Sequence, residues 1–259
     1  MPPPKIKRFN VLGVGVNALN MESALTAIRN ALQSKAKGYV CVTGVHGISE
    51  AQSDPEFRDI LNSAFLITPD GMPLVWLGWH HGHHNVDRVY GPDLMLEVCA
   101  DTADTPFRHF FYGGNTGVAE DLATRLKERF PELKVAGTYT PPFRPLTDGE
   151  SDELRAIIAE SRPDIIWIGL STPKQERFMS EYLPRLRTTI MVGVGAAFDF
   201  HTGRVRQAPR WIQRSGLEWF YRTLCDPRRL GPRYFRNNPL FIIRIFAQLC
   251  RIKKYPLDS

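Results

Sequence analysis

Leu66-Ile67-Thr68-Pro69-Asp70-Gly71-Met72-Pro73 decides how the rest of the chain is read. An apolar run over 65–68 reads as a buried strand that stops at Pro69. Asp70-Gly71 makes a turn, and Met72-Pro73-Leu74 opens a helix with proline in its first turn. Open α/β sheets bind their ligands at the carboxyl ends of such strands. Asp70 at that place suits a general base: a carboxylate in a half-dry cleft beside an incoming hydroxyl. The competing reading is structural, with Asp70 only capping the next helix or shaping the turn.

Working outward, the same strand-then-helix grammar recurs. Val11-Leu12-Gly13-Val14-Gly15-Val16 reads as a first strand or strand–turn, and Asn20 as the N-cap of a helix over 21–32. Gly13-x-Gly15 is not a dinucleotide fingerprint, because the third glycine and a promptly opening helix are missing. Tyr39-Val40-Cys41-Val42-Thr43 is a β-branched strand, so Thr43 and Asp70 both fall at strand ends and can face one cleft. Asp54-Pro55 starts a further helix, and Gly91-Pro92 another, with Arg88 just before it either reaching the cleft or forming a surface salt bridge. The strand Phe107-Arg108-His109-Phe110-Phe111-Tyr112 runs into Gly113-Gly114 and a helix over 118–130. A glycine-rich strand-to-helix turn lets backbone N–H groups approach a phosphate or sugar edge. Residues 164–170 form a strand ending at Gly169-Leu170, and Pro173 opens a helix with Lys174 and Gln175 in its first turn. A lysine there opposes the helix dipole, which points to a bound anion. A last strand over 188–194 leads into Gly195-Ala196-Ala197-Phe198-Asp199-Phe200. Strand and helix alternate about six times between residues 11 and 200. The fold class expected is α/β, a Rossmann-like, mostly parallel sheet with helices on both faces, plus a basic helical C-terminal appendage.

The bulk composition narrows the function classes. The 259 residues, 43% hydrophobic and 23% charged, are ordinary globular material. No apolar run reaches the roughly 18 residues of a membrane span, and Met1-Pro2-Pro3-Pro4-Lys5 carries no secretory-signal stretch. Cys41, Cys99, Cys225 and Cys250 are far apart, without metal-ligand spacing, and fit reduced, mostly buried thiols of a cytosolic protein. Trp79-His80-His81-Gly82-His83-His84 invites a metal reading, but Gly82 interrupts a regular helix and a polar, mobile loop is the expectation.

The net charge of +6 is unevenly spread. Residues 204–259 hold 13 Arg and Lys against Glu218, Asp226 and Asp258, a charge of +10 that leaves about −4 for the rest. Arginines, among them Arg210, Arg214 and Arg222, interleave with Trp211, Trp219, Phe220, Tyr221, Tyr234 and Phe235. Residues 239–250 are apolar but too short to span. Short basic, aromatic-rich helices suit an anionic membrane surface. Packing on the core or a homo-oligomer interface is the alternative use. Nucleic acid is disfavoured, because no recognition motif is present and the apolar stretch is out of place on such a face. The domain division expected is 1–204 and 205–259.

Taken together, Thr68-Pro69-Asp70-Gly71-Met72-Pro73, Arg88-Val89-Tyr90-Gly91, Phe111-Tyr112-Gly113-Gly114, Gly169-Leu170-Ser171-Thr172-Pro173-Lys174-Gln175-Glu176, Gly193-Val194-Gly195-Ala196-Ala197-Phe198-Asp199-Phe200, Ala208-Pro209-Arg210-Trp211 and Gly216-Leu217-Glu218-Trp219 resemble the WecG/TagA/CpsF glycosyltransferases, in order from about residue 10 to 240. The resemblance implies transfer of a sugar, often of N-acetylmannosamine type, from a UDP donor to a saccharide on a polyprenyl diphosphate at the inner face of a bacterial membrane. It implies that Asp70 matches the proposed base, Thr43 and Arg88 the acceptor- and diphosphate-side residues, and Gln175 and Asp199 the donor pocket. It further implies that the C-terminal arginines belong to an appendage that attaches to membrane and closes over the site, and that no metal or other cofactor is used; the chain has no Asp-x-Asp pair. One departure stands out. Val45 occupies the place, two residues after the matching Thr, where many relatives carry Asn, which implies a different donor or acceptor sugar and opens the donor to glucose- or uronic-acid-type sugars for an exopolysaccharide.

Two rivals compete with a transferase. A nucleotide-linked oxidoreductase needs a full glycine fingerprint and an acidic ribose partner, and the strand over 133–137 ends without one. A non-enzymatic membrane adaptor makes the tail the function and the cleft vestigial.

Overall fold

The computed structural model describes residues 6–257; Met1-Pro2-Pro3-Pro4-Lys5, Asp258-Ser259 and the side chains of Arg229 and Arg233 lie outside the described residues. The chain opens with a hairpin, β1 (Arg8–Val11) and β2 (Val14–Asn17), antiparallel with Val11 opposite Val14. Its two-residue turn, Leu12-Gly13, has positive φ at both positions (53° and 83°), the backbone that suits the twist of a tight hairpin. Leucine seldom adopts that conformation, but its side chain is fully buried and so holds the turn in place. The first strand expected at 11–16 is thus a separate two-stranded sheet, outside the main one.

After α1 (Met21–Ser34), capped by a reciprocal Asn20–Ser23 box, the main sheet begins with β3 (Gly38–Thr43). There follow α2 (Val45–Glu50), α3 (Pro55–Asn62), β4 (Leu66–Pro69), α4 (Met72–His80), α5 (Gly91–Thr102), β5 (Arg108–Gly113) and α6 (Val118–Arg129). Next come β6 (Lys134–Tyr139), α7 (Asp148–Ser161), β7 (Ile165–Gly169), α8 (Lys174–Tyr182), β8 (Ile190–Gly193) and α9 (Ala197–His201). The six strands β3 to β8 are all parallel, in the order β4-β3-β8-β7-β5-β6.

Period-two alternation sends successive residues of each strand to opposite cores. Tyr39, Cys41, Phe110, Tyr112, Ile166, Ile168 and Met191 pack with the hairpin, α2, α3, α4, α7 and α8. Val40, Phe111, Ile165, Trp167, Ile190 and Val192 pack with α1, α5, α6 and α9. Within the second core His109 is fully buried and satisfied: the Trp167 indole N–H donates to its Nδ1 (3.0 Å), and its Nε2 lies 2.9 Å from Thr102 Oγ1, which itself donates to Val98 O.

The tail forms α10 (Arg210–Arg214), α11 (Glu218–Cys225) and α12 (Pro227–Leu249). Where short helices were expected, α12 is one helix of 23 residues that runs through Pro232 and Pro239. Tertiary packing overrides the two breakers: Leu230 and Phe241 are buried, Phe241 within the first core, with Ile245 packed beside them. Further along, Gln248 accepts from Leu12 N and donates to Asn10 O. The opposite face exposes Phe235 and Ile243, while Ile242, Phe246 and Leu249, also exposed, turn toward the cleft described below. No described helix is long and apolar enough to cross a membrane. The cysteines divide evenly rather than being mostly buried: Cys41 and Cys99 are enclosed, Cys225 and Cys250 exposed, all four free. The histidine-rich stretch is not all loop, since α4 runs to His80 and the rings of His81 and His83 lie against Phe9. Among the described residues no cluster of three or more His, Cys, Asp or Glu can hold a metal.

Candidate active site

The carboxyl ends of β3, β4, β7 and β8 open into a cleft of about 1410 Å³, walled by α4, by residues 141–146, by the start of α8 and by α11 and α12. One drug-sized ligand typically fills about 300–1,000 Å³, so the cleft has room for two substrates side by side.

Asp70 stands at its floor. The N-cap of α4 is Gly71, and no side chain caps that helix, so the carboxylate is free of the structural duty that its position suggested. Parallel pairing fixes the residue's place: Thr43 lies opposite Pro69, and Asp70 N donates to Thr43 O (3.0 Å). About a third of the side chain faces the cleft, while Oδ1 is buried and has no hydrogen-bond partner among the described residues. Desolvation by these walls pushes the carboxyl up to about 6, against the opposing pull of Arg88. A carboxylate with that proton affinity, ionised at neutral pH yet basic enough to take a proton, is suited to general-base work.

Arg88 is anchored on all sides. Its Nε donates to Asp70 O, Nη1 to Gln213 Oε1 (3.1 Å) and Nη2 to Glu218 Oε2, while Nη2 lies 3.9 Å from Asp70 Oδ1. The guanidinium also sits 4.1 Å over the Tyr90 ring, whose buried Oη has no hydrogen-bond partner among the described residues. Arg222, one turn beyond Glu218 on α11, lines the cleft, with its guanidinium 5.6 Å from the Phe200 ring centroid, and it has no carboxylate within 4 Å among the described residues. Of the two arginines, Arg222 is therefore the one that presents an uncommitted charge to a ligand.

Opposite Asp70, the Thr172–Pro173 turn feeds α8. Lys174 is exposed at the helix start and lines the cleft. Gln175 is buried, its Oε1 accepting from Gly195 N (3.0 Å) and its Nε2 donating to Glu176 Oε1 (2.9 Å), so it ties α8 to the end of β8. Glu176, 1% exposed, is raised by burial, and Thr172 Oγ1 donates to it. Gly169, Gly114 and Asp199 also line the cleft. At Gly113 (φ 122°) an added Cβ would lie 2.7 Å from Gly169 O, so only glycine lets the ends of β5 and β7 approach this closely. The ring of Phe198 fills the space under Gly169 and Gly114.

The residues singled out from sequence thus divide. Asp70, Arg88, Gly114, Gly169, Lys174, Gln175, Asp199 and Arg222 border one cleft. Thr43, Gly113 and Phe198 stand just beneath it: Thr43 is 3% exposed with Oγ1 toward Cys41 O (3.4 Å), and Phe198 is buried against Phe111. Arg210 and Arg214 are exposed on α10 and do not border it. Sequence reasoning missed Tyr90, Gln213 and Glu218. For Glu218 a signal existed, since it is one of three acids among 13 basic residues in the tail, a pattern that calls for a buried ion pair.

Comparison with known proteins shows the family. The model of the "Glycosyl transferase WecG/TagA/CpsF family" matches residues 9–255. The chain belongs to this family. Among related glycosyltransferases, one from Bacillus spizizenii is 32% identical over 223 residues, covering 83% of this chain and 84% of the relative. One from Bacillus subtilis is 29% identical over 69% and 68%, and one from Staphylococcus aureus 24% over 95% of each. All three are named N-acetylglucosaminyldiphosphoundecaprenol N-acetyl-β-D-mannosaminyltransferase. The glycosyltransferase match runs through α12, so the tail is part of what these proteins share.

Proposed function

We propose that this glycosyltransferase moves a hexose from a UDP-sugar to a saccharide carried on a polyprenyl diphosphate, in the synthesis of a bacterial surface polymer. Asp70 carries the reading: a carboxylate held near pKa 6, about a third open to a cleft that also presents Arg222 and Lys174. Asp70 takes the proton of an acceptor hydroxyl as its oxygen attacks the anomeric carbon. The bond from that carbon to the UDP oxygen breaks, UDP leaves with the electron pair, and the configuration inverts. Arg222 and Lys174 meet the charge on the diphosphate. Arg88 holds the base in place, Gln175 and Asp199 shape the donor side, and Thr43 supports the floor. No step calls on a metal.

The relatives' names point to an N-acetylhexosamine donor. In this chain Val45 presents an apolar surface to the cleft, at the first residue of α2, where an amide would offer a hydrogen bond. The donor pocket therefore suits a sugar that asks for no amide partner at that point.

Residues 1–204 serve as the catalytic core and 205–259 as an appendage that rests on the inner membrane surface, with Phe235 and Ile243 of α12 in the lipid interface and arginines at the headgroups. An acceptor with a polyprenyl tail is met at that surface.

The test is transfer from a panel of UDP-sugars to a short polyprenyl-diphosphate saccharide in liposomes, following UDP release and product mass together. One donor should be turned over, and Asp70→Asn should lose about 10²–10⁴-fold. Wild-type protein that neither binds UDP nor turns over any donor overturns the reading.

A further inference from the structure

Arg88 and Asp70 belong to the core, but the groups that finish their environment come from the tail. Glu218 and Gln213 lie 130 and 125 positions along the chain from Arg88. Both are held for the purpose. Gln213 Nε2 donates to Ala208 O (2.7 Å), which turns Oε1 toward Arg88. Gly216, between α10 and α11, has φ 78° and packs so tightly on Trp76 that an added Cβ would lie 2.7 Å from the ring's Cη2. Glu218 is 14% and Arg88 10% exposed on their side chains, so their ion pair is almost closed to solvent. Arg222, at i+4 from Glu218, lies on the same face of α11 and lines the cleft.

We infer that Glu218 is a positioning residue: from the tail it clamps Arg88 beside Asp70. This rests on the transferase reading of the cleft. The chemical logic is a shared cation. Arg88 faces two carboxylates, and Glu218 takes its direct hydrogen bond while Asp70 Oδ1 stands off at 3.9 Å. Glu218 thus keeps Arg88 from neutralising the base fully, and it adds a second negative charge nearby. Both effects keep Asp70 proton-seeking, as its raised value reflects after desolvation and Arg88 are counted. The charged or titratable groups that act on Asp70 are Arg88 and Tyr90 before α5 and Glu218 and Arg222 on α11; His46 on α2, His80 on α4, Lys174 on α8 and Asp199 on α9 line the same cleft.

The experiment compares wild type with Glu218→Gln and Glu218→Ala in the full chain. Glutamine keeps an oxygen for Arg88 and removes the charge; alanine removes both. In Glu218→Gln the acid limb of kcat/KM moves down by about one pH unit, the size of effect one neighbouring charge produces, with KM for the UDP-sugar near wild type. In Glu218→Ala the limb moves down as well, and kcat falls about tenfold or more, because Arg88 loses its anchor and the base its place. Titration of the Asp70 carboxyl by 13C NMR reports the effect of the charge without turnover. It separates failure of this inference from failure of the transferase reading, in which the wild type itself transfers nothing. A folded Glu218→Gln protein whose Asp70 titrates as in wild type overturns the inference, as does an Ala variant with unchanged kcat.

Discussion

The raised proton affinity of Asp70 makes a sharp demand on rate. A carboxyl at its ordinary value of 3.8 is almost wholly ionised at pH 5, so a base of that kind gives a flat profile from pH 5 to 7. With the value at about 6, roughly one molecule in ten carries the ionised base at pH 5 and roughly nine in ten at pH 7. kcat/KM should therefore climb about tenfold between those two pH values and level off above 7. The sign follows from burial: desolvation disfavours the charged form, so catalysis is lost as the pH falls through 6, not as it rises. The assay is UDP release in liposomes under subsaturating donor, with thermal melts at each pH to establish that the protein stays folded. Asp70→Asn should remove both the rate and the limb, leaving a residual activity without slope in this window. Asp70→Glu should keep a limb while losing rate, since one added methylene displaces the carboxylate from the acceptor. A wild-type profile flat from pH 5 to 7 would refute the argument, because the walls around Oδ1 could not then be dry.

Gly169→Ala places a Cβ 2.7 Å from the buried Phe198 ring, an over-packing worth about 1–3 kcal/mol, and should lower the melting temperature by several degrees; an unchanged melt contradicts the contact. Phe235→Glu with Ile243→Glu, both on the exposed face of α12, should weaken binding to anionic liposomes about 100-fold or more while leaving the melt unchanged, at about 1.5–3 kcal/mol per large apolar side chain. Truncation of the tail is the poorer test, because it strips Phe241 from the core. Burial lowers His109 from 6.5 to about 4, so the folded state is penalised once the unfolded chain takes up a proton: stability is full above pH 6.5 and falls toward pH 4, by about 3 kcal/mol from this group. Denaturant unfolding at pH 7 and pH 4 should show a smaller acid loss in His109→Gln than in wild type, and equal losses contradict it.

The sheet was legible because its signals are local. An apolar run that halts at Pro69, an Asp54-Pro55 helix start and the Asn20 cap each state their own geometry, and the structure repeats them. The hairpin was half legible. Leu12 is a poor left-handed residue, and only its burial in the core, invisible along the chain, holds the turn. Strand ends told which residues lie near the cleft but not which way they point. Thr43 and Phe198 have the right addresses and turn inward, because alternation on a strand and packing under a glycine decide the matter over less than one residue.

The tail was the least legible part, for a reason that bears on function. Residues 240–249 are apolar on both faces of α12, so composition alone could assign them to a core or to a lipid surface, and Pro232 and Pro239 suggested breaks that packing overrides. In the fold the two faces separate: Phe241 goes into the core, while Ile243 faces out. The same helix also walls the cleft, and the segment before it supplies Glu218 to Arg88. A contact that spans 130 residues leaves no periodicity or turn signature to read. What it leaves is an acid stranded among arginines, which makes sense only once Arg88 is found on the other side. The cleft is therefore not complete in the α/β core: Asp70, the proposed base, is placed by the sheet, and the carboxylate that shares Arg88 with it arrives with the tail.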